Sequence, residues 1–444
     1  MPLDDSRRVS LLLGLLFGLA GLGSSSAAVA LPLMGQDLGV DHGNATWAIS
    51  LYVLFLAVTT AVYGRVSDLW GVRTPLTIGI ALMAAGALAA AFAPSFEALL
   101  VARVFQGAGA AAVPTLGITA LSRRYDGELR GLALGRLAAV AASVSCLGPL
   151  LGGVVEHAFG WRAVMALPIL GALVIPLLWK ALVGEGSGAR LDILGALLVA
   201  ATAGGLVLLI QSPSTGVLVA GVGGLLLVLG TPAVVLRVRR RPHGFLPLAV
   251  VRNPTVVRSA AAAAAVPAAW FALLVAVPVV LVDEGWETWQ VGLLLVPSAV
   301  VALFVPRYAG PLLARVGGAT SLAFAGMVAS AALLLAALGV ALVSSPVLAV
   351  SVILVTVAFG VGQPALSASV GDAVDGDVRG VALGVATLLF LVGGSVGSAA
   401  VAGLGALVGT ANSLAVLAAL PVVGLVVLWP EVRRRPLRAA LARL

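Results

Sequence analysis

Two polar side chains, Arg103 and Gln106, stand in an otherwise apolar run from Leu99 to Val113. Their three-residue spacing places both on one face of a helix. A charged residue in the middle of a membrane costs roughly 2.5–3.5 kcal/mol even on the lenient insertion scale. Arg103 is therefore expected to face water or to bond to carbonyls, to Gln106 or to nearby serines. We predict a coupling or cavity role for this pair, and a structural arginine that reaches the outer surface is the alternative.

Two further titratable residues fall within or beside apolar runs. Arg136 lies about one and a half turns inside an apolar run, where it either lines a cavity or extends to the membrane surface beside Asp126 and Glu128. His157 follows Glu156 at the end of the same run. A loop position is favoured for this histidine over a titrating role.

A charged turn separates two apolar runs between Gly64 and Arg73. Gly64 and Gly71 allow a tight turn between antiparallel helices. Asp68, flanked by arginines, is suited to an ionic cluster that can switch partners. The simpler alternative is a charged turn that serves only topology.

The elements that must position these residues are membrane-spanning helices. Hydrophobic residues make up 61% of the chain, charged residues only 10%, and the mean hydropathy is +1.14, whereas soluble domains are about 25% charged. A span needs roughly 20 mostly apolar residues. The continuous apolar runs predict an all-α membrane protein with fourteen spans, at 9–34, 46–64, 75–93, 98–121, 131–155, 163–182, 191–210, 216–236, 255–282, 289–306, 319–343, 346–369, 380–405 and 409–429.

The charge distribution predicts the orientation. An even number of spans places both termini on one side, and a cytoplasmic N-terminus puts most of the 26 basic residues on the cytoplasmic side. The net charge of +8 then reflects topology and contact with anionic lipid heads rather than nucleic-acid binding. One lysine against 25 arginines, with abundant Ala, Val and Gly, points to a bacterium, and hence to its plasma membrane.

An internal repeat organises the chain. The hexapeptide that starts at Arg130 and ends at Gly135 returns 249 residues later, from Arg379 to Gly384. Repeats of apolar spans are typical of transporters. We therefore predict two six-helix bundles related by a pseudo-twofold axis, at residues 1–182 and 243–444, with two inserted spans in residues 183–242.

Several motifs resemble those of the major facilitator superfamily. The segment from Gly64 to Arg73 is similar to its signature loop, and the segment from Leu99 to Gly109 to its span-4 arginine motif. Gly135, with the run from Gly148 to Gly153, resembles the span-5 motif of antiporters. Fourteen spans resemble the drug/proton antiporter branch of that superfamily.

The resemblance implies roles for particular residues. Gly64, Arg65, Asp68, Gly71 and Arg73, with Arg379 as partner, would latch a cytoplasmic gate. A second set would bend span 5 against the opposite half: Gly135, Gly148, Pro149, Gly152 and Gly153. The resemblance also implies efflux of small molecules such as antibiotics, and therefore resistance to them. It suggests a proton gradient as the driving force.

The chain departs from that branch in span 1, where serines stand in place of an expected aspartate. All 18 acidic residues can be assigned to loops or helix ends, which leaves no carboxylate in the middle of the membrane. A cavity that contains an arginine but no carboxylate suits neutral or anionic lipophilic substrates better than cations. The residues predicted to line the substrate cavity are Ser25, Tyr52, Phe55, Trp270, Phe271, Gln363 and Phe390. For each of them, ordinary helix packing is the alternative.

Two other functions remain open from the sequence. One is an uncoupled or substrate-coupled facilitator of the same fold. The other is an intramembrane enzyme or a non-transporting receptor, but no buried nucleophile or His/Glu cluster supports it. We expect no enzyme activity, cofactor or metal, and the sequence contains no Gly-x-x-x-x-Gly-Lys-Ser/Thr loop for ATP.

Overall fold

A computed structural model describes residues 2–125, 127–179, 181–182, 192–242, 244–374 and 376–441. The side chains of some helical residues, including Arg65, Asp68 and Arg379, lie outside that description. The described chain is helical and contains fourteen helical segments long and apolar enough to cross a membrane, as the sequence predicts.

The first six spans form the N-terminal bundle. Spans 1 to 3 are continuous helices, spans 4 and 5 are each broken once, and span 6 contains a 3-10 segment. Their helices are Pro2–Asp37, Trp47–Trp70, Arg73–Ala91, Phe96–Ala110 with Ala112–Arg124, Gly127–Cys146 with Gly148–Phe159, and Trp161–Ala166 with Leu167–Val174 and Ile175–Leu178.

Spans 7 and 8 are inserted between the bundles, and spans 9–14 form the C-terminal bundle. The inserted helices are Ile193–Thr215 and Val217–Arg240. The C-terminal bundle contains Pro254–Asp283, Thr288–Leu294 with Val296–Val316, Gly318–Ala341, Ser345–Gly371, Gly376–Val408, and Thr410–Leu417 with Ala419–Leu441. Short helices at His42–Ala45 and Leu248–Arg252 connect spans.

Successive spans alternate in direction, so the molecule has two faces. We call the face that carries both termini the termini face, and the other, formed by the turns between spans 1 and 2, 3 and 4 and so on, the distal face. Gly71 and Gly317 end spans 2 and 10 at the termini face with φ of 70° and 82°. Because other residues adopt such φ values at a cost, glycine is favoured at both turns.

Helix breaks follow proline at four places. Pro114, Pro149, Pro168 and Pro297 each lie within three residues after a break, because proline lacks the N–H that would continue the helix. Pro267, Pro278 and Pro364 lie inside helices that continue through them.

The bundles meet along three pairs of spans. Span 1 packs on span 9, span 2 on span 13, and span 5 on span 10. Span 7 packs against spans 2 and 13, and span 8 packs on span 7 with little of its surface buried. The first inserted helix therefore lies along the junction between the bundles, and the second lies outside it.

Candidate functional site

Arg103 is fully buried between spans 2 and 4 of the N-terminal bundle. Its Nε donates to the carbonyl oxygen of Ala48 at 2.7 Å, and one terminal nitrogen donates to Oε1 of Gln106, also at 2.7 Å. The guanidinium carbon lies 4.3 Å from the centre of the Tyr52 ring. A carbonyl, an amide and an aromatic face therefore hold the charge, consistent with the carbonyl and Gln106 partners expected from the sequence.

Two donors in this cluster remain unsatisfied within the described structure. They are the second terminal nitrogen of Arg103 and Nε2 of Gln106, both buried without a hydrogen-bond partner. A buried donor without an acceptor costs about 1–3 kcal/mol. The Arg103–Gln106 pair therefore forms a site that an acceptor group, from water or from a ligand, would complete.

Tyr52 connects this site to span 1. Its hydroxyl donates to the carbonyl oxygen of Ala20 at 2.6 Å, and its ring covers Arg103. Ser25, also predicted to line a cavity, instead donates to the carbonyl of Ser145 at 2.9 Å and so joins span 1 to span 5. Both side chains are buried, at 1% and 4% exposure.

The remaining cavity candidates do not all meet in one cluster. Trp270 and Phe390 are joined by Phe359, with ring centres 5.4 and 5.6 Å apart, and form an aromatic cluster in the C-terminal bundle. Phe271 packs against Gly394 on the same bundle, next to Val53 of span 2. Phe55 and Gln363 are half-buried. Phe359 was not predicted, and only its ring contacts with Trp270 and Phe390 distinguish it from other phenylalanines in apolar runs.

The glycines of span 5 permit two close contacts. A Cβ at Gly152 would lie 2.6 Å from the carbonyl oxygen of Ser26, and one at Gly148 would meet the Ser25 hydroxyl. A Cβ at Gly153 would meet the carbonyl oxygen of Thr288 on span 10. Span 5, interrupted at Leu147 just before Pro149, therefore packs on span 1 by one side and on the opposite bundle by the other. Gly135, nearer the termini face, has open space around it.

The two bundles are joined by polar contacts at the distal face. Ser50 of span 2 and Ser398 of span 13 share a hydrogen bond of 2.9 Å between fully buried hydroxyls. Thr288 donates its hydroxyl to Glu156, and Nδ1 of His157 lies 3.7 Å from Oε2 of Glu287. We call these residues, with Gly153 and Gly292, the distal seam. The structure therefore has its distal face closed.

The distal seam was missed by sequence reasoning, which placed Glu156 among the acids of outer loops and helix ends. Glu156 does lie near a helix end, but span 10 covers it and leaves it 8% exposed. His157, favoured as a loop residue, lies in the same helix, exposed at the rim of the seam. Ser50 and Ser398 are 348 residues apart, so no local pattern indicates their contact.

The predicted gate residues at the termini face are described only in part. Arg73 donates to the carbonyl oxygens of Leu182 and Trp179 at 3.1 and 2.9 Å and stacks over the Trp179 ring, so it holds the end of span 6 within the same bundle. The side chains of Arg65, Asp68 and Arg379 lie outside the described structure, and the latch stays a prediction. Arg136 is half-buried in span 5, with one buried nitrogen that has no partner in the described structure.

Two helical bundles that meet in a closed seam at one face, with a buried arginine site inside the N-terminal bundle, define a membrane transporter of the two-bundle class. The chain belongs to the Major Facilitator Superfamily, whose family model matches residues 13–398.

Curated relatives are transporters of the same kind. An uncharacterised transporter of this superfamily, YvkA of Bacillus subtilis, is 27% identical over 89% of both chains. The cephamycin export protein CmcT of Amycolatopsis lactamdurans is 33% identical over 66% of this chain and 62% of its own length. The multidrug resistance protein Stp of Mycobacterium tuberculosis is 29% identical over 65% of this chain and 55% of its own.

Solved structures share the fold at low identity. A crystal structure of a POT family transporter in complex with 5-aminolevulinic acid superposes with a TM-score of 0.68 at 13% identity, and covers 96% of both chains. A second POT family structure, in complex with a thioalcohol-conjugated peptide, has a TM-score of 0.69 at 14% identity. The match extends across the fourteen-span architecture.

Proposed function

We propose that this protein exports small lipophilic molecules, neutral or anionic, across a bacterial plasma membrane by alternating access. The names of two relatives, a cephamycin export protein and a multidrug resistance protein, support export and antibiotics as a substrate class. The termini face is the cytoplasmic one in this proposal, because the basic residues concentrate there and acids dominate the distal turns.

The observation that carries the substrate class is the pair of unsatisfied donors on Arg103 and Gln106. Both are buried, one belongs to a cation, and together they require an acceptor. A substrate oxygen or carboxylate supplies one, whereas a quaternary ammonium supplies none and would add like charge to a desolvated guanidinium. The site therefore favours acceptor-bearing substrates over permanent cations.

The driving force in this proposal is the proton gradient, and the chain needs no ATP. The closed distal seam supports alternating access, since the distal face must open and the termini face must close to release substrate on the other side. The gate at the termini face would use the predicted latch around Asp68, Arg73 and Arg379.

Transport in proteoliposomes tests this proposal. We expect uptake of an anionic or neutral lipophilic probe to follow an imposed pH gradient and to fall at least tenfold in Arg103→Ala. Loss of one hydrogen bond between the charged guanidinium and the substrate, about 1.5–3 kcal/mol, accounts for that size. Arg252→Ala, which removes an exposed arginine near the termini face, is the matched control.

Three results would contradict parts of the proposal. Transport unaffected by collapse of the pH gradient would favour an uncoupled or substrate-coupled facilitator. A strong preference for quaternary ammonium dyes would overturn the substrate class. Equal transport rates in Arg103→Ala and Arg252→Ala would show that Arg103 is not part of the substrate site.

A further inference from the structure

A groove opens at the termini face between the start of span 1 and the end of span 6. Its volume is about 890 Å³, and ligand sites in proteins occupy roughly 300–1,000 Å³. Span 6 packs on spans 1, 3 and 5, and its Leu173 and Leu177 are 70% and 53% exposed. Because Leu177 also lines the groove, the groove opens toward the hydrocarbon of the membrane rather than toward the contact between the bundles.

The local structure of span 6 explains why the groove exists. The middle of this span is the 3-10 segment Leu167–Val174, in which Gly171 packs on the side chain of Leu16 of span 1. Nearer the termini face, the short side chain of Ala172 and the ring of Pro176 line the groove. Span 6 therefore packs closely on span 1 at Gly171 and leaves space between the two helices beyond that point.

The lining of the groove changes from apolar to polar in both helices as they approach the termini face. Span 1 runs away from that face and contributes Arg8 at the rim and Leu12 four residues, or about 6 Å, deeper. Span 6 runs toward it and contributes Ile175 in the deeper part and Trp179 at the rim. Two segments of opposite direction thus have the same order of polarity, which matches an amphiphile with its head at the rim.

Two arginines give the rim a positive charge. Arg124, at the end of span 4, donates from two nitrogens to Oδ2 of Asp5, at 2.6 and 3.1 Å, and from the third to the carbonyl oxygen of Ala181 at 3.3 Å. These contacts hold the guanidinium between spans 1 and 6 and use three of its five N–H groups. Arg8 is exposed, and within the described residues no carboxylate pairs with it. The groove is therefore lined by two cations and one carboxylate.

Trp179 marks the depth of the rim in the membrane. Its side chain is 46% exposed, and Arg73 stacks over the ring, with the guanidinium carbon 5.0 Å from the ring centre, while it donates to the carbonyl oxygen of Trp179. Tryptophan is enriched at the level of the lipid headgroups. The arginines of the rim then lie at headgroup level, and the apolar part of the groove lies at the level of the acyl chains.

We propose that this groove binds one phospholipid with an anionic headgroup from the leaflet at the termini face. The phosphate would accept hydrogen bonds from Arg8 and from the free N–H groups of Arg124, since arginine and phosphate form paired hydrogen bonds. An acyl chain would lie along Leu12 and Ile175. A zwitterionic lipid would bind more weakly, because its own cation offsets the phosphate. The site lies apart from Arg103 and goes beyond the proposed export, on which it does not depend.

Native mass spectrometry of the full chain in detergent tests the headgroup part of the site. We expect dioleoylphosphatidylglycerol to bind more tightly than dioleoylphosphatidylcholine, which has the same chains and no net charge. Arg8→Gln should weaken the binding of phosphatidylglycerol by roughly fivefold, the contribution of one arginine near a membrane surface. Arg7→Gln is the matched control, because Arg7 is an exposed neighbour that does not line the groove, and it should leave the affinity unchanged.

A second set of measurements tests the apolar part of the groove. Ala172→Trp fills this part without a change of charge and should reduce the binding of phosphatidylglycerol. Glycerol 1-phosphate, which has the phosphate but no acyl chain, should not displace the lipid. Phosphatidylglycerol with a photoreactive group on its acyl chain should label the peptides that contain Leu12 or Ile175.

Several results would overturn the proposal. Equal affinity for the two phospholipids would indicate unselective lipid contact, and equal affinity in Arg8→Gln and Arg7→Gln would show that the rim does not bind the headgroup. Displacement of the lipid by an equal concentration of glycerol 1-phosphate would indicate a site for free phosphate esters. If Ala172→Trp does not fold, the photolabel decides, since labelling confined to spans other than 1 and 6 would contradict binding in this groove.

Discussion

At the scale of single residues, charged side chains differ in how many of their hydrogen-bonding groups have partners. Arg103 binds the carbonyl of Ala48 in the first turn of span 2, two residues from Ser50 in the distal seam. A ligand that draws on the free donors of Arg103 would therefore act close to the segment that closes the distal face. The sequence identified Arg103 by its cost in a membrane, but not this proximity.

Asp192 is a carboxylate outside the spans that accepts several hydrogen bonds. It accepts from Nε of Arg237 at 3.1 Å and from the backbone N–H groups of Gly195 and Phe245, also at 3.1 Å. Burial raises the pKa of this carboxyl, but the hydrogen bonds from Arg237, Phe245 and Gly195 outweigh that effect, so the pKa lies below its ordinary 3.8. Asp192 thus joins the start of span 7, the end of span 8 and the connection to span 9.

We expect Asp192→Asn to destabilise the folded protein by about 1.5–3 kcal/mol at neutral pH, since the hydrogen bonds that it removes are to a charged group. Because the folded pKa is depressed, this stability is present above the unfolded pKa of about 3.9 and is lost as pH falls through the folded value. Melting temperatures in detergent should differ at pH 7 and converge in acid.

Asp372→Asn, at an exposed carboxylate of the termini face, is the control and should leave the melting temperature unchanged at both pH values. A difference between Asp192→Asn and its parent that persists undiminished at the acid limit would show that the carboxylate charge is not what stabilises this junction.

At the scale of elements, the two halves of the repeat differ in which helices are interrupted. Span 5 is interrupted before Pro149, whereas span 13, its counterpart, runs unbroken from Gly376 to Val408 with Ser398 at the equivalent position. The 249-residue offset of the repeat aligns Pro149 with Ser398, and serine, unlike proline, has the N–H that continues a helix. Ser398 and Thr288 show that the second copy contributes half of the distal seam.

The contact of spans 5 and 10 depends on glycine. A Cβ at Gly292 would lie 2.7 Å from the carbonyl oxygen of Pro149 and 2.9 Å from the Cα of Leu150, and backbone atoms cannot move aside cheaply. Overpacking costs about 1–3 kcal/mol. We expect Gly292→Ala to destabilise the closed distal face and to lower transport by roughly tenfold.

Gly221→Ala is the matched control, because Gly221 lies in the second turn of span 8 with open space around it. Alanine favours helix more than glycine does, so this variant should be at least as stable as the parent. Transport rates in proteoliposomes, and distances between spin labels at Phe92→Cys and Leu342→Cys, exposed at the distal ends of spans 3 and 11, give the comparison. Equal behaviour of the two variants would mean that the closed contact is not required.

At the scale of the whole molecule, alternating access requires the distal seam to open in every cycle. The hydroxyl oxygens of Ser50 and Ser398 are 2.9 Å apart, so cysteines at both positions are close enough for a disulfide between the bundles. In a Cys146→Ser background, we expect oxidation of Ser50→Cys/Ser398→Cys to abolish transport and reduction to restore it.

Each single cysteine variant controls for the loss of the hydroxyl pair and should be insensitive to oxidation. Undiminished transport by the fully oxidised double variant would contradict opening at this face. Disulfide formation is followed independently by loss of free thiol.

The sequence by itself determined the membrane class, the fourteen spans, the repeat and the motifs of the family. These features are local, because each span needs about 20 apolar residues and each motif lies within one loop or helix. Helix ends moved by a few residues, as where span 4 extends over 96–124 rather than 98–121. The neighbouring sequence also indicated that glycines such as Gly71 lie in turns.

Only the tertiary structure decided which polar groups meet. Glu156 has the sequence of a loop acid, and burial by a helix 132 residues away gives it a partner in the other bundle. Arg103 donates to a carbonyl 55 residues away, and Ser50 shares a hydrogen bond with a hydroxyl 348 residues away. In a chain so uniformly apolar, hydropathy fixes where helices lie along the sequence but not which faces meet. Close packing of glycines and a few hydrogen bonds choose the faces, and with them the seam that transport must open.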